Sequence, residues 1–210
     1  MDEKKITILE GWDTYEIGEF LEKSLKNFKK EDFIKIAKDK EGYLFPDTYF
    51  FGDSARPRTV VSVMSDTFKS RISTLPQIAT STHSLNEIIT MASILEGEAH
   101  STKDRQIIAG ILWKRLSTGM PLQVDATFAY INGKGTFDLT LDDLKIDSPY
   151  NTYKYKGLPP TPINNPGLDA IYSALNPIET KYLYFLTGHD GKMYYAKTFE
   201  EHKRNKQLYL

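Results

Sequence analysis

The sequence contains no cysteine. That single absence removes disulfide staples, thiolate nucleophiles and cysteine-ligated zinc together. An uninterrupted apolar run of about 18 residues, the mark of a membrane-spanning helix, is also missing. The opening MDEKKITILEGW lacks the apolar stretch of a signal peptide. Neither sign of charge is in surplus: 27 basic residues face 28 acidic ones, for a net charge of −1. Nucleic-acid binding calls for a basic excess, so that class is not supported, and a doublet such as Lys29-Lys30 reads as a solvated face. Histidine is scarce, with four in the chain. No His-Glu-x-x-His pattern exists, which argues against a zinc-hydrolase helix. No Gly-x-Ser-x-Gly elbow exists either, which argues against a serine hydrolase. Internal repeats and low-complexity tracts are absent.

What remains is the composition of a globular domain. Of 210 residues, 40% are apolar and 26% charged, enough for one core without staples. Residues 4–12 predict a short strand with Ile6 and Ile8 on one face. Residues 13–28 predict an amphipathic helix capped by Asp13, and 30–40 a short helix. Residues 41–53 read as strand and turn, 58–74 as a helix and 76–84 as a loop. The best-marked helix begins at Ser84, where Glu87 three residues on completes a capping box. A second helix over 103–118 is closed by Gly119. Residues 120–135 read as a turn and a short ordered element, 140–146 as a short helix, and 147–167 as a long proline-rich loop. A helix over 166–177, a hairpin turning at His189-Asp190-Gly191 and a closing helix over 198–210 complete the chain. The expected fold is α+β: a single mixed domain, helix-rich, with short strands and a C-terminal β-hairpin.

The helix after Ser84 carries the sharpest chemical signal. At about 100° per residue, Leu85, Ile88, Ile89, Ala92 and Ala99 form one stripe, and Glu96 falls near its centre. A carboxyl group on an apolar stripe is either paired or protonated with a raised pKa, and the latter is what a general acid needs. The competing reading is a core glutamate paired with an arginine such as Arg105 or Arg115. Glu98 falls nearly opposite and reads as a solvated residue. His100 stands one turn beyond Glu96, where a helix C-terminus already accounts for a histidine. Asp125 is either a second carboxylate or a cap for the element after it. The loop holding Tyr150, Tyr153 and Tyr155 either offers flat faces for stacking on a sugar ring or packs onto the core.

Read together and in order, EGYLFPDTY, ASILEGEA, DRQIIAGILWKRLSTGMPLQVDATFAY, SPYNTYKYKGLPPTPINNPG and YLYFLTGHDGKMYYAKTFEEH resemble the YceG-like family, the MltG endolytic murein transglycosylases of bacteria. The resemblance covers nearly the whole chain. Gly97, where a basic residue is usual, and Lys114, where asparagine is common, depart from the pattern.

The resemblance implies that residues 1–210 are a catalytic domain. It implies an N-terminal membrane anchor and a LysM-like module outside this chain, and a place on the extracytoplasmic face of the cell membrane. The implied substrate is the glycan strand of peptidoglycan, cut internally to leave a 1,6-anhydro-N-acetylmuramic acid end. Cell-wall synthases are the implied protein partners; no cofactor and no metal are expected. The family's catalytic glutamate lands on Glu96, with Asp125, Tyr150, Asn151 and Tyr153 as the residues that hold the strand. Two rivals stay in view. A non-catalytic glycan-binding module would keep the aromatic loop without needing Glu96, and a two-carboxylate hydrolase would use Glu96 with Asp125.

Overall fold

The computed structural model describes residues 3–135 and 138–210. The chain opens with β1 (Glu3–Thr7), α1 (Thr14–Ser24), α2 (Lys30–Ala37) and β2 (Thr48–Gly52). β1 and β2 pair antiparallel, Lys5 opposite Phe50 and Ile6 opposite Tyr49. The strand pattern decides which face is covered. Ile6 and Ile8 are buried with Tyr49 and Phe51, while Phe50 points out. These side chains close over Ile17 and Leu21 of α1 and Phe33 and Ala37 of α2, forming the first of two hydrophobic clusters. Asp13 caps α1 as expected, its carboxylate accepting from Glu16 N–H while Glu16 returns the bond. α1 stops at Ser24, short of the expected Phe28, because Leu25 is already extended and Asn27 takes a positive φ.

α3 (Pro57–Ile72) ties the two halves together. Val60, Val61 and Met64 belong to the first cluster and Phe68 to the second. The expected loop at 76–84 includes one helical turn, α4 (Gln77–Thr80).

α5 (Leu85–Glu98) is the centre of the second cluster. Every residue from Ile88 to Leu95 is buried, so this helix is covered on the back at Met91 and Ile94 as well as along its stripe. α6 (Thr102–Ser117), α7 (Ala126–Asn132) and α8 (Leu168–Leu175) pack around it. Each fully buried Ile or Leu in such a core is worth about 1.5–3 kcal/mol. Ser93 of α5 is matched: its Oγ donates to the Thr90 carbonyl at 2.8 Å and accepts from Ile163 N–H at 3.1 Å. Those bonds hold the long loop before α8 against the helix.

Residues 143–145 form a 3-10 turn rather than a full helix. β3 (Tyr184–Thr187) and β4 (Met193–Ala196) make the C-terminal hairpin. α9 (Phe199–Tyr209) lies against it through ring contacts, Tyr194 on Tyr209 and Tyr184 on His202. The architecture is α+β, helix-rich with two small two-stranded sheets among the described residues. No helix among the described residues is long and apolar enough to cross a membrane.

Candidate active site

Glu96 sits in the last turn of α5, which ends because Ala99 is extended. α6 then starts within three residues, capped by Ser101. This tight corner brings Arg105, one turn into α6, back onto Glu96. The Arg105 guanidinium donates to Glu96 Oε1 at 2.5 Å and to Asp169 of α8 at 2.7 Å. The other carboxylate oxygen of Glu96 accepts from the Gly167 N–H at 2.8 Å, at the N-terminal end of α8, whose dipole also favours negative charge. The pairing with Arg105 anticipated by the structural reading of Glu96 is therefore present. It does not place the group in a sealed core, however. Glu96 lines an open cleft of about 560 Å³ together with Glu10, His100, Arg105, Asp125, Lys134 and Asn164.

The electrostatics of Glu96 are a balance. Burial pushes its carboxyl above the usual range. The Gly167 N–H and Arg105 pull it down, and the negative charges of Glu10 and Asp169 push it up again; the net direction is upward. Arg105 is shared between two carboxylates, which dilutes its hold on either. The arrangement therefore favours a proton on Glu96 while keeping two donors ready for the anion once the proton has left.

The other expected site residues separate. Asp125, at the residue before α7, lines the cleft with Glu96. It does not cap α7 with its side chain. Tyr153 donates to Asp125 Oδ1 at 2.6 Å and packs its ring on Phe128, so it stands behind Asp125. Burial, then the neighbouring Asp125 charge, raises its phenol pKa. Tyr150 is half-buried, bonded to Thr161 Oγ1 at 2.8 Å and packed on Tyr130; it is not part of the cleft lining. Asn151 requires a correction. It is fully buried, and its amide donates to the carbonyls of Leu144 and Ile146 while its oxygen accepts from Tyr153 N–H. Those bonds fix the loop's shape and leave nothing to hold a strand. Tyr155, bonded to Asp147, is exposed.

Glu98 requires a second correction. The face opposite Glu96 is not solvent, because α7 packs there. The Glu98 carboxyl accepts from Ala126 N–H at 3.2 Å and is pushed up to about 7 by burial, with Asp125 adding to the rise. Two further acids escaped the sequence reading. Glu10 enters the cleft from the link after β1. Glu41 is buried among Thr14 N–H and the Asn165 amide and is pushed to about 7, chiefly by burial. Asn164, in the cleft wall, donates to the Ser93 carbonyl at 2.8 Å. Only the Glu-Gly pair at residues 10–11, near the end of the expected strand, offered a local cue. Among the described residues no group of three His, Asp or Glu side chains is arranged to hold a metal ion.

Residues 1–208 match the YceG-like family. The endolytic murein transglycosylase of Bacillus subtilis (strain 168) is 41% identical over 172 residues, which are 81% of this chain and 48% of that protein. The protein of the same name from Streptococcus pneumoniae, strain D39, is 39% identical over 172 residues, 79% of this chain and 31% of its own length. This chain thus spans half or less of the curated relatives it matches. The crystal structure of a yceG-like protein of Listeria monocytogenes superposes with a TM-score of 0.86 at 33% identity, covering 97% of this chain and 76% of that one.

Proposed function

This chain belongs to the YceG-like family, and from that membership and the geometry of its cleft we propose that residues 1–210 form the catalytic domain of an endolytic peptidoglycan transglycosylase. The observation that carries the proposal is Glu96, a carboxyl group enclosed in the wall of an open cleft with its proton favoured by burial and its anion met by Arg105 and the Gly167 N–H.

The chemistry needs one such group. Protonated Glu96 donates to the glycosidic oxygen as the bond to the muramic acid C1 breaks. The C6 hydroxyl of the same sugar then attacks C1, and its proton passes to the Glu96 carboxylate. One C–O bond forms, one breaks, and the proton returns to the residue that gave it. Because the nucleophile is intramolecular it arrives at high effective concentration, and water is neither consumed nor activated. Arg105 and the Gly167 N–H stabilise the intermediate carboxylate. Asp125, held by Tyr153, faces the same cleft and supplies negative charge for an oxocarbenium-like state; Tyr150 supports the loop behind it. Peptidoglycan strands are the substrate in this reading. The working location is the outer face of the bacterial cell membrane, and cell-wall synthases are its protein partners.

A two-carboxylate hydrolase remains the second reading, because Asp125 shares the cleft with Glu96. Digestion of purified peptidoglycan strands in heavy-oxygen water, read by mass spectrometry, decides between them. The expected product ends are anhydro ends, lighter by one water and free of label, in a spread of lengths from the earliest time points. Label at the new reducing end assigns the attack to water and the role of base to Asp125.

A further inference from the structure

Glu10 has no part in the mechanism above, yet it stands beside the proposed acid. It lies in the link between β1 and α1 and lines the same cleft as Glu96. Two close approaches fix it there. Its carboxyl group rests over the Cα of Gly167, where an added methyl group would lie 1.9 Å from Glu10 Oε1. Gly167 is also the residue whose N–H donates to Glu96, so both carboxylates converge on one peptide. The next residue, Gly11, has a φ of +81, a conformation that suits glycine, and a methyl group there would lie 3.5 Å from Glu96 Cγ.

The link is clamped to the loop before α8. Gly11 N–H donates to the Asn165 carbonyl at 3.0 Å and Asn165 N–H to the Trp12 carbonyl at 2.9 Å. The Asn165 amide reaches Trp12 O and Glu41 Oε1. No side chain among the described residues pairs with the Glu10 carboxylate, so its charge is not cancelled locally. The N-terminal link thereby places an acid against a site otherwise lined by residues between 96 and 164.

We propose that Glu10 is a positioning residue of this site, whose negative charge, laid over Gly167 beside Glu96, biases Glu96 toward the protonated form from which it donates. The proposal rests on Glu96 being the acid. The charged and titratable groups facing Glu96 are Arg105 from α6, Asp169 from α8, Glu10 from the N-terminal link, His100 from the α5–α6 corner, and Asp125 and Lys134 across the cleft. Arg105 is its ion-pair partner, and Asp169 already shares that guanidinium. Asp125 is bonded by the Tyr153 hydroxyl, whereas the Glu10 carboxylate has no side-chain partner among the described residues, so its charge bears on Glu96 without an intervening ion pair. A like charge at short range favours the neutral form of a carboxyl group.

The test is a carbon-detected NMR titration of the glutamate carboxyls, with the Glu96 signal identified by its loss in Glu96→Gln. It is run on the wild type, Glu10→Gln and Glu10→Asp, alongside the pH dependence of turnover on peptidoglycan strands. In Glu10→Gln the Glu96 midpoint is expected to move to lower pH, and the alkaline limb of the rate profile to move with it. In Glu10→Asp both are expected to return toward the wild type. A Glu96 midpoint unchanged in folded Glu10→Gln overturns the proposal, even if the wild type cleaves normally. A midpoint that moves in a protein that cleaves no glycan supports the coupling and counts against the proposed function instead.

Discussion

The Tyr153 hydroxyl donates to the Asp125 carboxylate at 2.6 Å, and this bond joins the proline-rich loop to the wall of the cleft. Substituting Tyr153→Phe removes the bond and keeps the ring on Phe128. Because the acceptor is charged, the expected loss is about 1.5–3 kcal/mol at most. Turnover is expected to fall several-fold with a small change in melting temperature. Tyr153→Ala also removes the packing and is expected to lower the melting temperature clearly further. Thermal melts and turnover on both variants check this; equal melting of the two would mean that the ring contributes nothing to the loop.

Glu96→Gln keeps the shape of the side chain and an acceptor for the Gly167 N–H, but it cannot carry the proton. Arg105 retains Asp169 as a partner, so the fold is expected to survive. Turnover is expected to drop by about 10²–10⁴-fold, the usual contribution of general acid–base catalysis. Circular dichroism confirms folding and product release measures the rate. A folded variant turning over near the wild-type rate removes Glu96 from the mechanism.

Glu98→Gln is a stability experiment. The Glu98 carboxyl is raised from 4.5 to about 7 in the folded protein. A raised carboxyl means that the native state binds the proton more tightly than the unfolded chain, so stability falls as pH rises from the unfolded pKa through the folded one. Glu41 titrates in the same direction and to a similar value. The wild type is therefore expected to lose stability between about pH 4.5 and 7. Glu98→Gln, which can still accept from Ala126 N–H, is expected to lose less. At pH 8 the variant is expected to be the more stable by about 1–3 kcal/mol, with the difference gone near pH 4.5. Denaturant titrations across that range measure it; parallel pH profiles for the two proteins would contradict the account.

The parts of the site that the sequence revealed are those that depend on local pattern. The capping box at Ser84 and Glu87 fixed the start of α5, and a period of 3.6 then placed Glu96 on an apolar stripe. The same wheel misread Glu98, because it treats the face opposite a core as water. α7 covers that face, and α7 is packed there by contacts that no period encodes. Asn151 was legible as a loop residue but not as a buried one: its amide serves carbonyls five and seven residues back, which residue type alone does not announce. Glu10 lies far from Glu96 along the chain. Only tertiary bonds between Gly11, Trp12 and Asn165 bring it into the cleft, and a strand followed by Glu-Gly carries no statement about where it docks.

Asp169 bears on Glu96 both through Arg105 and through its own charge. It takes one arm of Arg105 at 2.7 Å, accepts from Thr102 at 2.7 Å, and adds a negative charge that favours the proton on Glu96. Asp169→Asn can keep the hydrogen bond to Arg105 while removing the charge. Arg105 is then balanced by Glu96 alone, and the ionised form of Glu96 gains. The alkaline limb of the rate profile, where Glu96 has lost its proton, is expected to move to lower pH. The rate well below that limb is expected to stay within a few-fold of the wild type, because the protonated acid and its geometry are intact there. Initial rates of strand cleavage across the pH range measure both regions. A uniform fall at every pH would instead assign Asp169 to holding Arg105 in place, and its charge would have no role in setting the proton on Glu96.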